Sequence, residues 1–434
     1  MPELLIVDQL IAHRLKCQNE REFFRRRRRI NAAIILSGLL ALLVLTSVYF
    51  FTDLLFGPVK SLNSDSGQGE WVVFAHDSSH SNNAGSPSFP FGRIKSVLST
   101  KADFVSSPVV NNKIIYATGT YSTMYALAEQ TGKSIWAFEA GGWIQSAPTI
   151  HAETLYFGAN DGKMYALDVK NGEPKWTFKA PYAIKSSPAI AGGLVVFGAA
   201  DNCIYAIREK DGKKVWQTSV ENWIVASPVI INGIVCVGSW DGYLYTFNAR
   251  DGRVRLKLNM RTAITTSPAA RNSLFYSVAG HWLYAVNSSS RNWPGEIALT
   301  PYWQTIYLYG LAPEPPGTSG LNWSLFFQDR ITGYPVLTDT DIIISNGDKL
   351  TAVDINEHAS RWTFQKQGTL LTPPAIADRT AYTGSADGYI YALDASTGDI
   401  KWSLYIGENI TASPVIADGN LYIGTSSGNL YIIE

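Results

Sequence analysis

A Ser-Pro pair, or a close variant, returns along the chain at Pro108, Pro148, Pro188, Pro228 and Pro268, in steps of 40 residues. The series resumes at Pro335, Pro374 and Pro414 in steps of 39 and 40, and only the step from Pro268 to Pro335 is long, at 67. Repetition of this length belongs to stacked or radially arranged supersecondary units, so it limits the fold more than any other property of the chain. Inside one unit, residues 147–178 read "APTIHAETLYFGANDGKMYALDVKNGEPKWTF". Four strand-length runs are separated by His-Ala, Asn-Asp-Gly and Lys-Asn-Gly turns, where Gly supplies a positive φ and Asn or Asp tolerates one. The reading is four antiparallel strands, A to D, per unit. Eight such units predict an all-β, eight-bladed β-propeller over residues 71–434.

A second signal keeps step with the first. Twelve residues before each Pro stand Ser96, Trp136, Trp176, Trp216, Leu256, Trp323, Trp362 and Trp402. One indole buries about 150–250 Å², so six of them at one place on strand D are expected to wedge each blade against the next. They are read as structural rather than catalytic. Leu256 breaks the series, and its blade is expected to pack less tightly. The run "NLYIIE", Asn429–Glu434, matches strand C, while Arg93–Thr100 matches a strand D ahead of the first repeat. The N-terminal segment is therefore expected to complete the eighth blade and remove both sheet edges. No part of the propeller region shows helical periodicity.

Basic and acidic residues balance at 36 each, which leaves no nucleic-acid footprint for the chain as a whole. The distribution is uneven. Residues 1–29 form a basic tail ending in "RRRRR", and Ile30–Phe51 follows as 22 residues without a charge. As a helix that run spans about 33 Å, enough for a bilayer core. A cleaved signal peptide would have an apolar region of only about 7–15 residues. The expectation is an uncleaved transmembrane signal-anchor in the cytoplasmic (inner) membrane. It would be single-pass, with the N-terminus in the cytoplasm and the propeller in the periplasm or outside the cell. Residues 2–24 read as a short amphipathic helix and residues 52–70 as a polar linker.

Catalytic signatures are missing from the sequence: there is no H-E-x-x-H, Walker-A loop or G-x-S-x-G. Asp161-Gly162, Asp241-Gly242 and Asp387-Gly388 recur with the repeat and read as turns. Cys17, Cys203 and Cys236 have neither disulfide-framework nor metal-ligand spacing.

"ALDASTGDIKW" (Ala392–Trp402) and "ALDVKNGEPKW" (Ala166–Trp176) resemble the A-x-D-x-x-T-G-x-x-x-W hallmark of the PQQ-type repeat. The lead-in "WVVFAHDSSHSNNAG" (Trp71–Gly85) is similar to that family as well. The resemblance implies the eight-bladed propeller of the quinoprotein family. Within it, blades of about 40 residues without a Cys pair look more like the BamB-like, non-enzymatic branch, although that branch consists of lipoproteins. It implies a scaffold for protein–protein interaction in an envelope complex, with no cofactor. The alternatives are a dehydrogenase dependent on PQQ and Ca²⁺, or a ligand sensor coupled through the membrane helix.

Loops are left to carry function. Trp143, Tyr182 and Trp223 sit in D–A loops of three consecutive blades, and Trp240, His281 and Trp282 lie nearby at B–C loops. Such rings suit a protein-binding hot spot, or they pack between their own loops. The long step is an insertion, Ser288–Leu321, between strands C and D of blade 5. It carries Trp293, Tyr302, Trp303, Tyr307 and Tyr309, and is expected either to pack on itself or to meet lipid headgroups or a membrane subunit.

Overall fold

The computed structural model describes residues 92–99, 106–118 and 122–434. They form eight four-stranded antiparallel sheets, seven of them in chain order A-B-C-D. Blade 3 is representative: Ala189–Ala191, Leu194–Gly198, Cys203–Arg208 and Lys214–Ser219. The eighth sheet combines Val415–Ala417, Asn420–Gly424 and Asn429–Ile433 with Ile94–Ser99 as its strand D. Its register runs from Ser99 opposite Asn429 to Ile94 opposite Ile433. Arg93 and Glu434 extend it through a reciprocal backbone pair at 3.2 and 3.0 Å. The first strand therefore closes the ring, as its sequence match to strand D requires.

Each C–D pair carries a bulge at one position. In blade 1, Trp136 faces Ala126 and Ser134 faces Leu127, so Ile135 is the extra residue. A bulge reorients the residues on either side of it. Ile135 is left exposed and the next residue, Trp136, points into the seam with blade 2. There its Nε1 donates to Val169 O at 2.9 Å. The same bond joins Trp176 to Glu209 O, Trp216 to Ala249 O and Trp362 to Ala395 O, at 2.8, 2.8 and 3.0 Å.

The turn glycine of the following blade lies under each of these rings. A Cβ on Gly252 would come within 2.5 Å of Trp216, and one on Gly172, Gly212 or Gly398 within 2.7 Å of Trp136, Trp176 or Trp362. All four have φ between +68° and +79°, where a side chain is already strained. The Gly…Trp repeat thus has two separate uses. The glycine makes room for the ring of the preceding blade, and the tryptophan covers the glycine of the next.

The two seams that begin at Ser96 and Leu256 are filled differently. Ser96 does occupy the tryptophan register, opposite Ile432. The contact with Gly132 is made instead by Leu98, two residues further along the same face. Leu256 is fully buried against Gly320, so its seam is filled by an aliphatic side chain and is not the loose one expected.

The hallmark aspartate has a local cause too. Asp394 accepts from Ser396 N at 2.9 Å and Ser396 Oγ at 2.5 Å, and pairs with Lys401 at 3.2 Å. Burial alone would raise its pKa, but these donors hold it down at about 2.

A second expectation fails. The insertion contains a helix, α1 (Glu296–Leu308), although no helical period is visible there in the sequence. An amphipathic period arises when one face is buried, and most of α1 is exposed: Ile297, Leu299, Tyr302, Ile306, Tyr307 and Leu308 are all open to solvent. Among the described residues no helix is long and apolar enough to cross a membrane. Ile30–Phe51, the basic tail and the linker lie outside the described residues.

Candidate functional site

The D–A loops explain how one face of the propeller presents its rings. In each loop an isoleucine is buried: Ile184 packs on Gly158, Ile224 on Gly198 and Ile264 on Gly238, where a Cβ would stand 2.1–2.3 Å from the isoleucine Cγ2. The loops of Trp143 (with buried Ile144), Tyr182 and Trp223 are pinned to B–C turns by Asn160 N→Trp143 O, Ala200 N→Ala183 O and Trp240 N→Trp223 O, at 2.8–3.0 Å. With the isoleucine held inward, the neighbouring ring is left outside. Trp143, Tyr182, Trp223 and Trp240 are 54%, 65%, 46% and 45% exposed. Trp223 and Trp240 meet at 5.8 Å between ring centroids. Tyr182 and Trp223 contribute to the walls of an open groove of about 670 Å³ above blade 3, with Asn160, Asp201 and Lys185 also lining it.

Turn aspartates act beneath these loops, in Asp161-Gly162, Asp201-Asn202 and Asp241-Gly242. Tyr165, Tyr205 and Tyr245 donate to Asp161, Asp201 and Asp241 at 2.6, 2.5 and 2.8 Å. Burial first, then the bond to Asp161, pushes the Tyr165 phenol up to about 12. The aspartates are therefore occupied in holding the turns.

Trp282 lies against Phe326 at 5.2 Å, and His281 stacks on the same ring at 5.9 Å. Phe326 and Tyr405, 56% and 60% exposed, were not among the residues singled out from the sequence, nor was Leu370 at 61%. Phe326 and Tyr405 stand three residues after the blade tryptophan, where other blades carry Glu139, Lys179, Ser219, Asn259 and Gln365. Comparing that column across the repeats would have found them. Tyr405 packs on Tyr389 of the same blade at 4.7 Å.

The insertion emerges at the other end of the strands, between Asn287 and Leu321. Trp303 Nε1 is tied to Pro313 O at 2.9 Å, while Tyr302, Tyr307 and Tyr309 project outward. Trp293 N donates to Glu296 Oε2 at 3.1 Å at the start of α1. From Ile297 to Pro313 the chain carries no charge.

The third feature is the axis. The serines before three of the repeat prolines link neighbouring blades: Ala147 N→Ser187 Oγ, Ser187 N→Ser227 Oγ and Ser227 N→Ser267 Oγ, each 2.9 Å. Ala147, Ser187 and Ser227, with Ser106, Ser107, Gln145, Lys185 and Ser413, line a pocket of about 250 Å³. Ca²⁺ takes six to eight oxygens, carboxylates prominent among them. The described lining offers hydroxyls, an amide and one ammonium, which does not fit a Ca²⁺-bound quinone. Among the described residues no group of three or more His, Cys, Asp or Glu is placed to hold a metal ion. Cys203 and Cys236 are separate buried thiols, and burial pushes Cys236 far above its ordinary pKa.

A family model described as outer membrane protein assembly factor BamB matches residues 56–294 and 312–434. The gap between the two matched stretches takes in α1. The crystal structure of BamB from Moraxella catarrhalis superposes with a TM-score of 0.62 at 15% identity, covering 78% of this chain and 98% of that one. Quinohemoprotein alcohol dehydrogenase from Comamonas testosteroni gives 0.65 at 12% identity, covering 87% and 83%. A serine/threonine-protein kinase, AfsK of Streptomyces griseus, is 36% identical over 92 residues, which is 18% of this chain and 11% of that protein. At these identities the solved structures share the fold alone.

Proposed function

The chain belongs to the BamB family, and from that premise we propose that it is a non-enzymatic propeller scaffold that binds a protein partner in the cell envelope. The observation that carries this is the ledge of exposed rings at Trp143, Tyr182, Trp223 and Trp240, each fixed by a buried isoleucine or a backbone bond. Rings held in advance lose little freedom on docking, and aromatic anchors dominate binding energy at protein interfaces. Ile30–Phe51 tethers the scaffold to the cytoplasmic membrane, with the propeller outside the cytoplasm. The strand that follows the tether enters its blade at the C–D end, the end from which the insertion emerges. The uncharged, aromatic surface of α1 therefore serves the lipid headgroup region, and the ledge at the D–A end serves the partner.

A photo-cross-linking residue in place of Tyr182 or Trp223, in the full chain in intact cells, should capture one and the same envelope protein. The equally exposed Val215, on strand D of blade 3, should capture none. Capture of the same protein from all three positions, or from none, overturns the ledge as the docking surface. Protease added to sealed, right-side-out cells stripped of any outer layer should cut the propeller; protection would place it on the cytoplasmic side and reject the topology.

A further inference from the structure

Lys185 is the one cation among the eight residues three places before the repeat prolines: Val105, Gln145, Lys185, Val225, Thr265, Thr332, Leu371 and Thr411. None of the eight is acidic. Lys185 lines both the groove under Tyr182 and Trp223 and the axial pocket, and it has no ion pair among the described residues. A half-buried ammonium without a carboxylate at ion-pair distance is an unusual thing to leave beside the axis of a closed ring.

The hydroxyls beside it point the same way. Ser186 uses its Oγ in both directions, donating to Gly198 O and accepting from Gly198 N at 2.9 Å. Ser187 and Ser227 only accept, from the backbone N–H of Ala147 and Ser187. Both are 5% exposed, and neither hydroxyl proton has an acceptor among the described residues. A hydroxyl carries one donor and two acceptor sites. The pocket therefore presents two hydroxyl protons without acceptors and one ammonium, and no carboxylate is among its described lining residues.

We propose that the axial pocket binds a small oxyanion of the phosphate or short dicarboxylate class. Lys185 acts as counter-ion, and the Ser187 and Ser227 hydroxyls donate to the anion. At about 250 Å³ the pocket accommodates an anion of a few heavy atoms. Charge-assisted bonds of this kind are the stronger ones in proteins. The site stands independently of the membrane tether and of the ledge's partner.

The test is calorimetric titration of the full chain in detergent with inorganic phosphate and, separately, with succinate, at constant ionic strength set by chloride. Saturable binding is expected for at least one. Lys185→Gln should weaken it roughly tenfold or more, the scale of one charge-assisted hydrogen bond. Lys185→Arg should retain most of it. Val225→Asp, which removes none of the proposed ligands, should abolish binding by placing a carboxylate in the lining. Absence of saturable binding by either anion overturns the proposal. So does binding that is equal in Lys185→Gln, or that survives Val225→Asp.

Discussion

Two kinds of seam hold this ring together, and comparing them shows what the tryptophan contributes. At Trp136, Trp176, Trp216 and Trp362 an indole fills the seam, rests on a glycine of the next blade and donates to a backbone carbonyl. At Leu98 and Leu256 a leucine meets the corresponding glycine, Gly132 or Gly320, and contact is retained without a side-chain donor. The remaining two seams keep the tryptophan. Trp402 lies over Gly92, and Trp323 stacks at 4.6 Å on His358, which takes φ +55° where the repeat has glycine. Burial of a large apolar group is thus common to all eight. The flat ring is an addition that two seams do without, and the indole hydrogen bond to a carbonyl is seen at the four named first.

The largest test of that contrast is truncation. Trp216→Ala should cost about 3–5 kcal/mol and Leu98→Ala about 2 kcal/mol, because the indole loses more buried surface and a donor. Urea midpoints of the two variants would measure it, and equal losses would remove the distinction. Next comes Gly252→Ala. It adds a Cβ at positive φ against a rigid ring, for about 3 kcal/mol, whereas Gly132→Ala meets only the flexible end of Leu98 and should cost about 1–2 kcal/mol. Trp216→Phe keeps an aromatic ring and removes the bond to Ala249 O, so about 1 kcal/mol is expected from the bond alone; no change in midpoint would assign the seam to packing.

A smaller effect sharpens the comparison at the seam of blades 2 and 3, where a titratable pair accompanies the tryptophan. His151 Nδ1 lies 2.5 Å from Glu209 Oε1. The hydrogen bond to Glu209 is the main cause that raises the His151 pKa, and the same bond lowers that of Glu209. A raised histidine stabilises below its unfolded value of about 6.5 and loses this as pH rises through its folded value. A lowered glutamate stabilises above about 4.5 and loses this as pH falls. The pair therefore helps most between those limits. The ring is half exposed, so the effect is small. The urea midpoint of the parent should drop more between pH 5.5 and pH 8.5 than that of His151→Gln; identical pH profiles would show that the seam does not titrate.

Much of the ring could be read before any coordinates, because the 40-residue period places turns, strands and tryptophans in fixed columns. The column also placed Ser96 in its true register. It could not show that Leu98 takes over the contact, since that depends on which residue of a short strand reaches the neighbouring glycine. Helix α1 was not legible because a helix without a buried side has no apolar rhythm, and Pro301 inside it reads as a breaker. Trp143, Tyr182 and Trp223 were legible as loop aromatics. Their outward orientation followed only from the buried isoleucines beside them, and Phe326 and Tyr405 needed the comparison of one column across all blades. Lys185 becomes conspicuous only when its seven counterparts are set around the axis.

The closing sheet joins Arg93 to Glu434 across 341 positions of sequence. A chain made from its N-terminus must therefore carry strand Ile94–Ser99 without its mate until nearly all of the remainder has been synthesised. Contacts between such distant segments form slowly. During that interval Ile94–Ser99 has an open edge onto which another chain's strand could add in place of the proper one. Correct maturation is thus a contest of timing, decided by whether the early segment stays close enough to claim its place when Asn429–Ile433 finally arrives.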